Sequence, residues 1–77
     1  MNKVMFFAHL RDAAGEESVS LDLTGKTVAE AKVILSERYG VNLDTVMAAV
    51  NEEFAGDEDV LSDGDVVAFI PPVSGDK

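Results

Sequence analysis

The chain has no cysteine among its 77 residues and only one histidine, His9. The absence of cysteine excludes disulfides, thiolate nucleophiles and cysteine-ligated metals, and it fits a reducing compartment. Nucleophilic triads and zinc sites are disfavoured as well, because they need histidine or cysteine side chains and His9 is the only one of either type. We therefore expect His9 to be structural.

Other signatures of catalysis and metal binding are missing as well. Neither a GxGxxG motif nor a Walker loop is present. The acidic runs 57–59 and 63–65 lack the ligand spacing of a calcium loop, and we predict solvated turns there. No pattern indicates a pair of carboxyl groups buried in a cleft. The chain is therefore predicted to have no metal site and no catalytic residue, and not to be an enzyme by itself.

Long apolar runs and basic residues are both scarce. No apolar run approaches the roughly 20 residues of a membrane span, and the run 4–8 is too short for a signal peptide, so we expect a cytoplasmic protein. Six basic residues stand against fifteen acidic ones, for a formal net charge of -9. This charge repels nucleic acid and anionic membranes, so neither is an expected partner. Attraction of a basic protein partner and simple solubility remain open as interpretations of the acidic surface.

Two prolines, Pro71 and Pro72, follow the apolar run 66–70, which has the composition of a buried strand. Neither proline has an N–H to give to a sheet, and both hold φ near extended values, so the chain is predicted to leave the sheet as a stiff arm. We expect the residues from Val73 onward to be poorly ordered in the free chain, which gives one domain, 1–77, with a flexible tail over 73–77. Whether this arm enters a pocket on another protein or is a frayed terminus stays open.

Hydrophobic periodicity predicts the other elements. Residues 10–14 have the pattern of one helical turn that ends at Gly15. Thr27 and Glu30 form a capping box, and apolar residues at helical spacing follow it, so a helix is predicted over Val28–Tyr39. Apolar and alternating runs predict strands over residues 3–9, 18–23, 46–50, 54–55 and 66–70.

One long helix and four or five strands indicate an α+β fold in which the helix packs across one face of a sheet. The first and last strands are the most apolar, so we place them side by side in the centre. The hairpin and helix between them permit parallel pairing, which makes the sheet mixed. The predicted architecture is a β-grasp, the ubiquitin-like roll.

One helix covers only one face of a sheet, yet the first and last strands are apolar on both faces. If Phe6 faces the helix, Phe7 points away from it. An exposed apolar cluster on a small domain usually marks a partner site, and we predict one near the root of the arm, formed by Phe7, Phe54 and Ile70. The alternative is that loops cover this face.

Three segments resemble the MoaD-type small subunit of molybdopterin synthase, a ubiquitin-like sulfur carrier. They are residues 6–11 (FFAHLR) followed by Ala14 and Gly15, residues 49–52 (AVNE), and residues 63–75 (DGDVVAFIPPVSG). The resemblance covers nearly the whole chain in order and length, and the terminal motif is its most specific part. It implies a β-grasp fold.

The resemblance also implies a function and partners. In this family an adenylyltransferase similar to ubiquitin-activating enzymes uses ATP to adenylate the carrier's terminal carboxylate, which becomes a thiocarboxylate. The terminus is then inserted into the large, MoaE-type subunit, in what we expect to be a heterotetramer. The sulfur builds the dithiolene of molybdopterin on a pyranopterin precursor, and the large subunit provides the catalytic groups. The carrier itself is expected to bind no cofactor.

Site residues follow from the same resemblance. The family's apolar interface corresponds to Phe7, Phe54 and Ile70, the patch inferred above from the two faces of the strands. Arg11 matches a family arginine that helps to engage partners, with an ordinary surface arginine as the open alternative. The arm that would enter the partners comprises Pro71, Pro72, Val73 and Ser74.

The terminus departs from the family pattern. The family ends in Gly-Gly, whereas here Gly75 matches the first glycine, Asp76 stands at the second and Lys77 is extra. An aspartate at the reacting position adds a side chain and a negative charge, which is expected to hinder adenylation and entry into a narrow pocket. Trimming to Gly75, an altered terminus and a homologue that docks without carrying sulfur all remain open. So does a second class of function, a ubiquitin-like binding module or a carrier for another sulfur pathway such as thiamine.

Overall fold

The computed structural model describes residues 1–71, in which five strands and two helices follow one another. In chain order they are β1 (Asn2–Phe6), α1 (His9–Ala14), β2 (Ser18–Leu21), α2 (Val28–Tyr39), β3 (Met47–Val50), β4 (Glu53–Ala55) and β5 (Val66–Ile70). The predicted α+β class is confirmed. The positions Pro72, Val73, Ser74, Gly75, Asp76 and Lys77 lie outside the described residues.

All five strands form one mixed sheet in the order β2-β1-β5-β3-β4. β1 and β5 pair in parallel, while the other neighbours pair antiparallel. A parallel pair needs a crossover connection, and the segment that contains α2 supplies it. The predicted β-grasp, with the first and last strands side by side, is therefore confirmed.

Side-chain alternation in β1 and β5 builds the core. Val4 pairs with Val67 and Phe6 with Phe69, so these four side chains share one face. The rings of Phe6 and Phe69 stack with centroids 6.3 Å apart, and Phe6 meets Tyr39 of α2 edge-on at 5.9 Å. The buried apolar cluster consists of Val4, Phe6, Leu10, Leu21, Leu23, Val28, Ala31, Leu35, Val41, Leu43, Val46, Ala48, Leu61, Val67 and Phe69.

The long helix begins where the capping box predicts. The Thr27 hydroxyl accepts a hydrogen bond from the Glu30 N–H at 3.2 Å, and the Glu30 carboxylate accepts one from the Thr27 N–H at 2.9 Å. The free N–H groups of Val28 and Ala29 donate to the carbonyls of Asp59 and Asp57. The acidic loop 57–59 therefore caps the helix through its backbone.

The first strand is shorter than predicted. It ends at Phe6 rather than at His9, because Ala8 adopts a positive φ of 54° and the chain turns there. The turn is closed by a 3.1 Å hydrogen bond from the Leu10 N–H to the Phe7 carbonyl. Turning early brings Leu10 into the core, where its side chain is buried, and that burial outweighs three more paired residues. His9 consequently begins α1 and is exposed.

Two further boundaries differ from the predictions. β2 ends at Leu21 instead of Leu23, and the hairpin begins at Met47, one residue after Val46. Both Leu23 and Val46 are nevertheless buried, as their apolar side chains indicate. The prediction that they belong to strands is wrong. The predicted single turn at 10–14 is a six-residue helix, so α2 is accompanied by a second, shorter one.

Asn2, which the sequence does not single out, is a buried polar residue that joins distant segments. Its Nδ2 donates to the carbonyls of Ser62 at 2.8 Å and Asp65 at 3.1 Å. Its Oδ1 accepts from the Leu23 N–H at 2.9 Å. The side chain thus fixes the turn before β5 against the end of β2 and offsets its own burial with three hydrogen bonds. Within residues 1–71, neither helix is long and apolar enough to cross a membrane.

Candidate partner-binding surface

The side of the sheet opposite α2, here called the open face, carries apolar side chains. The strand register aligns Met5, Ala68, Ala49 and Phe54 in one row across β1, β5, β3 and β4. Phe54 is 74% exposed and Met47, on the same face, 41%. Such a cluster on a small domain is typical of a protein-binding surface.

A depression of about 460 Å³ runs along the open face over β1 and β5. Its middle is apolar, and it has polar groups only where Asn51 and Glu52 close one end. A surface of this kind can bury apolar side chains of a partner. The lining residues of this open-face depression are Met5, Phe7, Ala49, Asn51, Glu52, Val66 and Ala68.

The turn between β3 and β4 fixes the polar end of the depression. Asn51 and Glu52 have positive φ values of 53° and 72°, as in the two-residue turns that match the twist of a hairpin. The Asn51 Oδ1 accepts from the Val66 N–H at 3.0 Å, and the Asn51 N–H donates to the Val66 carbonyl at 2.8 Å. Asn51 Nδ2 also donates to the Asp65 carboxylate at 2.9 Å. The hairpin turn and the start of β5 are therefore held as one unit.

The carboxyl group of Asp65 is expected to make folding stability depend on pH. The Ser62 N–H and then the Asn51 amide donate to it, and these bonds hold the pKa of Asp65 below its usual value. Because the folded-state pKa is lowered, the stabilisation is complete above the unfolded pKa of about 3.9 and is lost as pH falls through the lower folded value. Urea unfolding of the natural chain and of Asp65→Asn should show a difference in stability that shrinks between pH 7 and pH 2. A difference that stays constant over this range would contradict the assignment.

The structure places the three predicted aromatic and aliphatic contact residues on the open-face side. Phe7 follows β1, is 39% exposed and lines the open-face depression. Ile70 is the last residue of β5, half-buried and opposite Met47. The exposure predicted for Phe7 and Ile70 is confirmed, while their part in binding stays a prediction.

Phe54 lies at the rim of the open face, three strands away from β1. It lies on β4, the edge strand, and lines two other depressions, of about 430 Å³ and 390 Å³. Val60, 62% exposed, lines the first of these and Met47 the second. The three residues Met47, Phe54 and Val60 are here called the edge surface, which adjoins the open face because Met47 and Phe54 belong to both.

The remaining predicted residues are spread along the chain. Arg11 is exposed on α1, and no salt bridge joins it to another described residue. Pro71 follows β5 and is the last residue described. The predicted sites at Pro72, Val73, Ser74, Gly75 and Asp76 lie beyond it.

The carboxylates of the acidic turns bind other groups of the protein. The Asp63 carboxylate pairs with the Met1 ammonium group, which raises the pKa of that amine. Asp57 accepts from the Lys32 ammonium at 3.0 Å. Across residues 1–71 no group of three histidine or carboxylate side chains is arranged to hold a metal ion.

Several contact residues of the open face were not found from the sequence. Alternation in β1 already placed Met5 away from the helix, and the same signal in β5 could have identified Ala68. The assignment of Ala49 and Met47 to the open face depends on the register between β3 and β5, which no local sequence pattern determines.

Comparison with known proteins gives a consistent family. Residues 4–75 match the ThiS family. The chain is 35% identical over 80 residues to the molybdopterin synthase sulfur carrier subunit of Escherichia coli, covering 97% of this chain and 99% of that one. It is 37% identical over 82 residues to the subunit of the same name from Chlamydomonas reinhardtii, covering 95% of each.

Solved structures agree with the sequence relatives. The putative molybdopterin converting factor subunit 1 of Pyrococcus furiosus superposes with a TM-score of 0.81 at 30% identity, covering 94% of this chain and 97% of that one. A chain of the complex of subunits 1 and 2 of the Helicobacter pylori molybdopterin-converting factor gives 0.71 at 28% identity, with 97% of each chain covered. The small archaeal modifier SAMP1 of Haloferax volcanii gives 0.74 at 27% identity, covering 97% of this chain and 98% of that one.

Proposed function

Since the chain belongs to the ThiS family, we propose that it is the sulfur carrier subunit of a molybdopterin synthase. The observation that carries this proposal is the full-length similarity to sulfur carrier subunits, 35% over 97% of the chain in the Escherichia coli case. The chemistry of the open face fits a carrier, because it offers apolar surface for a partner. The chain acts as an accessory subunit and is not catalytic alone.

The partner in this proposal is a large subunit of the MoaE type. A related chain assembles with a second subunit in the Helicobacter pylori complex. Phe7 and Ile70 on the open face and Phe54 on the edge surface provide the apolar contacts, and Arg11 provides a charged one. The net charge of -9 favours a basic surface on the large subunit, and two copies of each subunit would make a heterotetramer.

The fold explains how such a carrier presents its terminus. β5 is hydrogen-bonded to β1 on one side and β3 on the other, so its last residue, Ile70, is held at the centre of the sheet. Pro71 follows directly and cannot continue the ladder. The four residues 72–75 span at most about 14 Å when extended, which sets how deep a partner's active site can lie below the docking surface.

The activating partner, not the carrier, prepares the terminus to receive sulfur. In this proposal an adenylyltransferase uses ATP to activate the terminal carboxylate, a sulfur donor converts it to a thiocarboxylate, and the large subunit transfers that sulfur to the precursor. The carrier holds no cofactor of its own. Because the activation consumes ATP, we place the carrier in the cytoplasm.

Replacing Phe7 with alanine is expected to weaken binding to the large subunit by about 1–3 kcal/mol, or roughly 5- to 150-fold in Kd. The ring lines the open-face depression and is accessible to a partner, so its removal takes contact area from the interface and little from the core. Isothermal titration calorimetry with the purified large subunit measures the change.

The matched control is Val33→Ala, an exposed apolar residue on α2, on the opposite side of the sheet. It is expected to bind like the natural chain. Unfolding of the Phe7→Ala variant at room temperature would assign Phe7 to the core instead. Unchanged affinity in a folded variant would remove the open face from the interface.

A binding module or a carrier for another pathway is the weaker alternative. The likeness to SAMP1, a small archaeal modifier protein, shows that this fold also occurs in proteins of another name. The sequence relatives described above are molybdopterin synthase subunits over their full length, which favours the synthase. Intact mass after incubation with ATP, a sulfur source and the activating enzyme separates the classes, because a carrier gains about 16 Da when sulfur replaces oxygen.

A further inference from the structure

The edge strand β4 carries backbone N–H and C=O groups that are not part of the open-face depression. It is the last strand of the sheet and pairs only with β3. The turn that joins the two strands has two residues with positive φ, so the pair is a tight hairpin. The direction in which the N–H and C=O groups of each β4 residue point therefore follows from the direction of the same groups in its β3 partner.

The alternation of backbone directions can be traced from one hydrogen bond. The Asn51 N–H donates to the Val66 carbonyl at 2.8 Å, so the backbone groups of Asn51 point toward β5. Successive residues of a strand alternate, so those of Val50 point toward β4 and those of Ala49 toward β5 again. Phe54 lies opposite Ala49 and is therefore in a pair that is not hydrogen-bonded. Its N–H and C=O point away from β3, out of the sheet edge.

Side chains around this edge suit an extended segment. Phe54 is 74% exposed and Val60 is 62% exposed, and both line a depression of about 430 Å³ beside β4. An added strand would satisfy the outward N–H and C=O of Phe54 and would bury these side chains, which is how strand addition combines backbone affinity with side-chain selectivity.

The charge around β4 selects the kind of segment. Residues 52–59 include five acidic residues and no basic one. Lys32 approaches this region, but its ammonium group is already bonded to Asp57 and to the Val46 carbonyl. A second copy of this chain would bring the same acidic residues to the edge, so pairing between copies is disfavoured. A basic segment is attracted instead.

We propose that β4 is a docking edge that takes an extended, basic segment of a partner protein as a sixth strand, paired through the backbone of Phe54. The site lies beside the open-face depression and shares the Phe54 side chain with the contact surface proposed above for the large subunit, but strand pairing at β4 does not depend on sulfur transfer. The segment is recognised by alternating basic and apolar side chains, with an apolar one on Phe54 and Val60.

The test uses the full chain and a synthetic peptide of alternating lysine and valine as the probe. Phe54→Pro removes the outward N–H without breaking the β3–β4 ladder, because that N–H is not part of the ladder. Phe54→Ala is the matched control, since both variants lack the ring and only the proline lacks the donor. The peptide is expected to bind Phe54→Pro about three- to tenfold more weakly than Phe54→Ala, the range of a single net hydrogen bond.

Amide hydrogen exchange on the natural chain gives a second readout that needs no substitution. Bound peptide should slow exchange at Phe54 selectively, and raising NaCl from about 50 mM to about 500 mM should weaken binding. A glutamate–valine peptide should not bind. Equal affinity for the two variants, protection at Met5 and Ala68 instead of Phe54, equal binding of the acidic peptide, or no binding of the basic one would each overturn the proposal.

Discussion

Replacing Asp76 with glycine and deleting Lys77 is expected to turn a poorly loaded chain into one that accepts sulfur almost completely. A terminal carboxylate that must enter two narrow active sites tolerates no side chain beside it, and aspartate adds both bulk and a second negative charge. Incubation with the activating enzyme, ATP and a sulfur donor, followed by intact mass measurement, should show a gain of about 16 Da on the variant and little on the natural chain.

Two controls separate the causes. Deleting Lys77 alone leaves Asp76 at the end and should restore little loading, whereas deleting both Asp76 and Lys77 should restore part of it through Gly75. Phe7→Ala in the repaired chain should still be loaded if the open face serves mainly the large subunit. Equal loading of the natural and repaired chains, with mass showing no trimming, would mean that the terminal pair does not determine sulfur transfer.

Phe69→Ala is expected to have the largest effect on stability, about 3–5 kcal/mol. Phe69 is fully buried in the central strand, its ring stacks on Phe6, and it pairs with Ala48 on the other side. A domain of this length is stable by about 4–12 kcal/mol, so a cavity of that size removes a large share of the total. Urea unfolding followed by circular dichroism measures the loss.

Phe54→Ala is the matched comparison, because it makes the same chemical change on another strand of the same sheet. Its ring is mostly in solvent, so the expected loss is within about 0.5 kcal/mol. Similar losses for the two variants would show that Phe54 packs in solution against something that the sheet register does not indicate.

Local patterns determined a large part of this fold. Thr27 and Glu30 satisfy each other's backbone within four residues, so the start of α2 could be predicted without knowledge of the rest of the chain. Side chains in β1 and β5 point alternately to the two sides of the sheet and are apolar on both sides. One long helix can cover only one of these faces. The class, the central parallel pair and the presence of an open apolar face followed from these signals.

The candidate site was predicted in part. Phe7 and Ile70 could be assigned to the open face because alternation fixes the side on which a strand residue lies. The position of Phe54 at the rim of that face could not be predicted, since it depends on β4 being the edge strand and on the register of β3 against β5. The two faces of the strands and the resemblance to sulfur carriers both predicted one patch, and the register places Phe54 in the same row as Met5, at the rim of the open face.

The sequence by itself therefore determined what short-range chemistry can specify: the helix cap, the faces of the strands, the acidic surface and the terminal motif. Tertiary structure alone decided where β1 stops, what Asn2 bonds and which backbone groups remain at the sheet edge. The physical reason is that burial of Leu10, the contacts of Asn2 with segments about 20 and 60 residues away, and strand register are long-range terms. They act only when distant segments come together, so a short stretch of sequence does not reveal them.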